Sequence, residues 1–210
     1  MRFHKQILST SQFKLLERLG PFLTQHGFYL GGGTAIALML GHRKSVDLDW
    51  FSEKPIGDPN SWVDAIKKEG IRLNGISADR GTLHAIANGI RISLLEYRYP
   101  MVRSKVEWKG IGCMLASLDD LTCMKLSAIV QRGSKKDFID IYALMKKHNS
   151  LQHMVHLYQK KFPGTDIFPV LKGLSYFDEA EKERAPRVLW KVTWPEMKKD
   201  ITTAMKNMLP

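Results

Sequence analysis

Between Gly31 and Phe51 the chain reads GGGTAIALMLGHRKSVDLDWF, and few folds accommodate that order. Glycines at 31–33 allow a turn that most side chains would forbid. Thr34–Leu40 is a run of good helix formers, and Gly41 suits the left-handed position that ends a helix. Val46–Phe51 then alternates as a strand. Side chains at i and i+2 of a strand share a face, so Asp47 and Asp49 stand side by side, with Cα atoms about 6 to 7 Å apart. Val46, Leu48 and Trp50 are expected on the opposite, apolar face. Paired carboxylates repel unless a cation lies between them, and hard oxygen ligands favour Mg²⁺ or Mn²⁺. The alternative is a solvated strand face or an ion pair with Arg43.

Around this stretch the pattern is α/β before about residue 115 and helical after it. Ser9, Thr10 and Ser11 offer caps for a first helix whose stripe is Phe13, Leu16, Leu19, Phe22 and Leu23. Pro21 is expected to kink or divide that helix. Phe28–Leu30 reads as a strand and Ser61–Glu69 as a helix. Ile71–Ile76, Thr82–Ala87 and Ile90–Tyr97 read as strands, with Asn88-Gly89 as the turn of a tight hairpin. Helices follow at Leu118–Gln131, Lys135–His148, Leu151–Lys161, Phe168–Tyr176, Glu179–Glu183 and Pro195–Met208. The expected architecture is α+β: residues 1–115 form a mixed sheet with flanking helices, and residues 116–210 form a helical part that completes the active-site cleft.

No apolar run approaches the roughly 20 residues needed to cross a bilayer, and the N-terminus has no apolar signal segment, so a cytoplasmic location is expected. Cys113 and Cys123 have no metal-binding spacing and read as reduced thiols. The formal net charge of +11, spread along the whole chain, favours a polyanionic partner, with nucleic acid first, or else serves solubility.

The helix N-terminus after Gly31–Gly33 can offer free N–H groups and a positive dipole to phosphate, and Thr34 can add a hydroxyl. Arg43 and Ser45, just before the acid pair, join Gly32, Gly33 and Thr34 as candidate nucleotide-binding residues. Ser45 reads as ordering its loop rather than as a nucleophile, and His42 is a candidate general base. Lys125 and Arg132 are i and i+7 on one helix, and both can point at phosphate, with Lys136 beyond them. Asp137 and Asp140 either belong to this site or cap and pair structurally. Glu96, in register with Ile90, Ile92 and Leu94, is the candidate third acid, or else a strand-end residue paired to Arg91 or Arg98. His153 and His156 read as a surface pair. Trp190 and Trp194, among Lys191, Lys198 and Lys199, read as core or as stacking residues.

Gly31-Gly-Gly-Thr34, Gly41-His-Arg-Lys-Ser-Val-Asp-Leu-Asp-Trp-Phe51 and Lys125-x-x-Ala128-x-x-x-Arg132-x-x-x-Lys136-Asp137-x-x-Asp140 together resemble the AbiEii/AbiGii nucleotidyltransferase toxin family, within the DNA polymerase β-like superfamily. The resemblance covers roughly residues 28 to 145. It implies nucleotide transfer from an NTP, with Mg²⁺ held by Asp47 and Asp49, the tRNA acceptor end as a candidate acceptor and an antitoxin as a possible partner. Where that superfamily commonly has a third aspartate, this chain offers Glu96. The competing reading is a catalytically weak or inactive relative that binds RNA or protein through its basic surface.

Overall fold

The computed structural model describes residues 2–208. A 3₁₀ turn at Lys5–Ile7 leads into α1 (Thr10–Gln25). Ser9 caps α1 in a reciprocal pair with Gln12. Pro21 neither ends nor divides α1, which runs through it to Gln25. β1 (Tyr29–Leu30) is followed by α2 (Gly32–Leu40), which ends on Gly41 in the left-handed conformation. β2 (Leu48–Ser52) and α3 (Pro59–Lys68, capped by Asp58) come next. β3 (Leu73–Asp79), β4 (Thr82–Ala87) and β5 (Ile90–Glu96) form a meander, and Asn88 and Gly89 both take positive φ in the turn between β4 and β5.

β6 (Val106–Trp108) and β7 (Cys113–Leu115) close the sheet, whose strand order is β3-β4-β5-β2-β1-β7-β6. The rest is helical: α4 (Leu118–Gln131), α5 (Lys135–Lys147), α6 (Leu151–Lys161), α7 (Phe168–Ser175), α8 (Asp178–Lys182) and α9 (Trp194–Lys206). No helix among the described residues is long and apolar enough to cross a membrane.

The register explains both faces of the sheet. Leu115, Leu30, Trp50, Leu94 and Leu83 pair in sequence across five strands, and all are fully buried. This apolar row is covered by α1, where Gly20 lies against Cys113, and by α3. The other face carries Asp49, Ser93, His84 and Ser77 on one continuous row. α2 packs on β2 at its centre, and β3 and the His84–Ile86 side of β4 are left exposed. The buried apolar residues form one cluster that includes Leu16, Trp50, Leu126 and Ile201, so the core is continuous across the junction at residue 115. Val46 departs from the alternation: it precedes β2 and is 61% exposed. Both cysteines are buried and unpaired, and burial pushes both thiols up to about 12.

Candidate active site

A cleft of about 1150 Å³ opens between the N-terminus of α2, the uncovered face of β2, β4 and β5, and α4. Asp47 and Asp49 lie in it together with Gly32, Gly33, Arg91, Ser93 and His84. Asp47 Oδ1 accepts from Arg91 Nε at 2.7 Å, and Asp49 Oδ1 accepts from the Ser93 hydroxyl at 2.9 Å. The second oxygen of each carboxylate accepts no hydrogen bond among the described residues. These are hard donors beside the first N–H groups of α2, which have no partner inside the helix. The pair therefore fits a divalent cation that keeps part of its coordination shell for water and phosphate oxygens.

Gly32 has φ +61°, and a Cβ there would sit 2.8 Å from Asp49 Oδ2. Glycine thus lets the α2 backbone reach the acid. A side chain on Gly33 would overlap the Arg43 guanidinium. This second glycine answers to a feature beneath the turn, a buried ionic cluster.

In that cluster Asp140 accepts from His42 Nε2 (2.7 Å), Arg43 Nε (2.7 Å) and Arg43 Nη2 (2.9 Å), and pairs with Lys125 Nζ at 2.8 Å. Asp137 accepts from Lys125 Nζ (2.8 Å), from both ends of the Arg132 fork (2.8 and 3.0 Å) and from the Ser134 hydroxyl (2.6 Å). Both carboxylates are 0% exposed. Burial by itself would raise them, but the Lys125 ammonium, with Arg43 on Asp140 and Arg132 on Asp137, holds both well below the usual carboxylate range.

Several sequence-based expectations change here. Arg43 and Lys125 are buried in ion pairs with Asp140 and Asp137, so their charge is spent inside the protein rather than directed at a phosphate. Asp137 likewise serves the cluster. Arg132 keeps a 54% exposed side chain, and Lys136 is exposed beside the cleft. Thr34 is buried: its hydroxyl donates to the Asp47 carbonyl and meets Ser45 Oγ at 2.6 Å. These two hydroxyls pin the 43–47 loop to α2, the ordering role foreseen for Ser45. His42 is buried and burial lowers its pKa, so it is a neutral donor to Asp140 and not a base at the cleft surface.

Glu96 lines the same cleft but makes no hydrogen bond with the aspartates or their partners. It pairs with Ser52 in the β2–β5 register and lies on the apolar-row side, where it accepts from Ile56 N at 3.2 Å and from Arg98. Asp49 faces Ser93 instead, and no group of three acids, histidines or cysteines among the described residues is placed to hold a metal ion. The three-ligand expectation is corrected to a carboxylate pair. Glu96 was placed with Ile92 and Leu94, which are buried on the face opposite Asp49, and that parity already excluded it.

Sequence reasoning missed Ser93, His84 and Arg187. The two-residue turn at Asn88-Gly89 fixes His84 opposite Ser93, so that pair was readable from the hairpin. Arg187 had no such signal. It lies on the segment 184–193, which crosses the site loop through an Arg43–Val188 bridge, a Lys44 N–H to the Arg187 carbonyl (2.9 Å) and a Leu189 N–H to the His42 carbonyl (2.8 Å). Trp194 packs on Phe138 and Phe177, and Trp190 lies edge-on to His42, so both are structural. His153 and His156 are exposed on α6, with ring centroids 6.2 Å apart.

A family model described as nucleotidyl transferase AbiEii toxin, type IV toxin–antitoxin system, matches residues 14–109 and 94–207. An uncharacterized protein of Aquifex aeolicus is 38% identical over 179 residues, covering 84% of this chain and 86% of its own length. Among solved structures, JHP933 from Helicobacter pylori superposes with a TM-score of 0.63 at 18% identity, covering 98% of this chain and 93% of that one. The nucleotidyltransferase toxin MenT4 of Mycobacterium tuberculosis superposes with a TM-score of 0.54 at 13% identity, covering 93% and 82%.

Proposed function

Because the chain belongs to the AbiEii nucleotidyltransferase toxin family, we propose that it transfers a nucleotide from an NTP to a hydroxyl of an RNA acceptor, the tRNA acceptor end first among candidates. The observation that carries this reading is the pair Asp47 and Asp49, held beside the open N-terminus of α2 in a cleft large enough for a nucleotide. Asp47 and Asp49 would hold Mg²⁺ or Mn²⁺. Bound there, the ion supplies charge neutralisation and orientation of the triphosphate.

The chain's own groups do the rest. The α2 N-terminus presents N–H groups to phosphate oxygens. Arg132, Lys136 and Arg187 line the cleft and neutralise the remaining charge. Residues 116–210 thereby complete a cleft whose floor is built by residues 1–115. Thr34 and Ser45 hold the loop of Asp47 in place. The acceptor approaches over the uncovered face of β4 and β5, where Ile86 and His84 are exposed. A toxin role with a cognate antitoxin follows from the family, and such a partner is expected to block this open face.

The test is incubation with each labelled NTP, Mg²⁺ and total RNA. Label should appear in an RNA pool with the wild type and be lost with Asp47→Asn and Asp49→Asn. Transfer by both variants at the wild-type rate would sink the reading. The absence of a third carboxylate beside Asp49 among the described residues favours a second reading, a weakly active module that binds RNA or protein through its basic surface. Calorimetry with an NTP, with and without Mg²⁺, separates them: the module would show steeply salt-dependent RNA binding and no metal-dependent NTP heat.

A further inference from the structure

The row that starts at Asp49 continues through Ser93 on β5 to His84 on β4. Asp49 Oδ1 and Ser93 Oγ are 2.9 Å apart, and Ser93 Oγ and His84 Nδ1 are 3.1 Å apart. A carboxylate can only accept, so the Ser93 hydroxyl proton is committed to Asp49. The Ser93 oxygen can then only accept from the imidazole. His84 must therefore carry its proton on Nδ1, which leaves Nε2 with an unprotonated lone pair. Leu83 and Ala85 turn into the core, whereas His84 is exposed on the wall of the cleft. It stands on the side where the acceptor is read to enter, on the strand beyond Ser93, the residue that faces Asp49 in place of a carboxylate.

We propose that His84 is the general base of the transfer reaction, with Ser93 as its positioning residue. The proposal rests on the nucleotidyl-transfer reading above. In the step, the acceptor O–H proton moves to His84 Nε2. The electron pair left on the acceptor oxygen forms the bond to the α-phosphorus. The bond from the α-phosphorus to the bridging oxygen breaks, and its pair leaves on pyrophosphate. The resulting imidazolium keeps its Nδ1–H on Ser93, with the Asp49 charge behind it, and later gives the new proton to solvent.

Imidazole suits this task because its basicity lies near neutral pH. The groups opposite His84 in the sheet are Ser77 on β3 and Ser93 on β5, and the cleft it lines also carries Asp47, Asp49, Arg91, Arg132, Lys136 and Arg187.

Two measurements test this. The first is a long-range ¹⁵N–¹H correlation spectrum of the metal-free protein, in which His84 should show the Nδ1–H tautomer. Ser93→Ala should move it toward the Nε2–H form. The second uses an acceptor that the wild type labels. His84→Ala should lower kcat by about 10² to 10⁴-fold while NTP binding is kept, and added imidazole should restore part of the rate to His84→Ala but none to Asp49→Asn. An Nε2–H tautomer in the wild type, or transfer by His84→Ala at a rate close to the wild type's, overturns this proposal alone. Absence of transfer by the wild type overturns the underlying reading and this proposal with it.

Discussion

Two pairs of aspartates lie on either side of the α2 N-terminus, and they have opposite fates. Asp137 and Asp140 are fully buried and each accepts from several donors, among them a shared Lys125. Asp47 and Asp49 lie at the cleft and each accepts one side-chain bond, through one oxygen. The same chemistry at similar spacing thus yields a buried scaffold in one case and an open pair at the cleft in the other. What separates them is donor supply. A carboxylate whose lone pairs are all engaged by buried cations has nothing left to offer a ligand, whereas one with an unengaged oxygen at a cleft does.

The sharpest way to break this comparison is to neutralise one acid of each pair. Asp49→Asn is expected to lower transfer about a thousandfold, the loss of about 4 kcal/mol of transition-state stabilisation, while changing stability by less than about 0.5 kcal/mol. Labelling kinetics beside a denaturant titration measures both. A large stability loss would show that the open pair is structural too. Asp140→Asn should do the reverse in kind. It leaves Arg43 and Lys125 buried with one acid between them, and denaturant unfolding should report a loss of about 3 to 5 kcal/mol.

Gly33→Ala probes the contact between the two regions. Its Cβ would displace an arginine locked on Asp140, and a loss of about 1 to 3 kcal/mol is expected. An unchanged melting temperature would mean that Arg43 can move aside.

The smallest effect concerns pH. His42 has its pKa lowered by burial, so below about 6.5 the unfolded chain binds a proton that the native state resists. Stability should therefore fall as pH drops from 7 toward 5.5. Asp137 and Asp140, both depressed, contribute stability that is fully present above about 4 and is lost progressively as pH falls from there toward their lower native values. His42→Gln, which retains a donor to Asp140, should flatten the slope between pH 7 and 5.5 in thermal melts. An identical slope would assign it to another group.

The sequence was readable where local rules dominate. Leu118–Gln131 and Leu151–Lys161 begin and end where their caps and apolar spacing place them. The Asn88-Gly89 hairpin is legible for the same reason. β6 and β7 went unseen because three residues leave no room for alternation to register. The cations failed differently. Lys125 and Arg43 read as phosphate ligands by residue type and spacing, but partners decide what a charge does, and Asp140 lies 97 residues from Arg43. Glu96 was excluded by the parity of its own strand, since it shares the apolar face of Ile92 and Leu94.

The segment 184–193 lies across His42–Lys44 like a late clasp. A ribosome builds the chain from the other end, so the loop beside the acid pair emerges long before the stretch that fastens it. The cluster under that loop also waits for Asp137 and Asp140. Synthesis itself therefore delays the moment at which this centre is complete, and a cell making the protein meets a finished catalyst only after most of it has been translated.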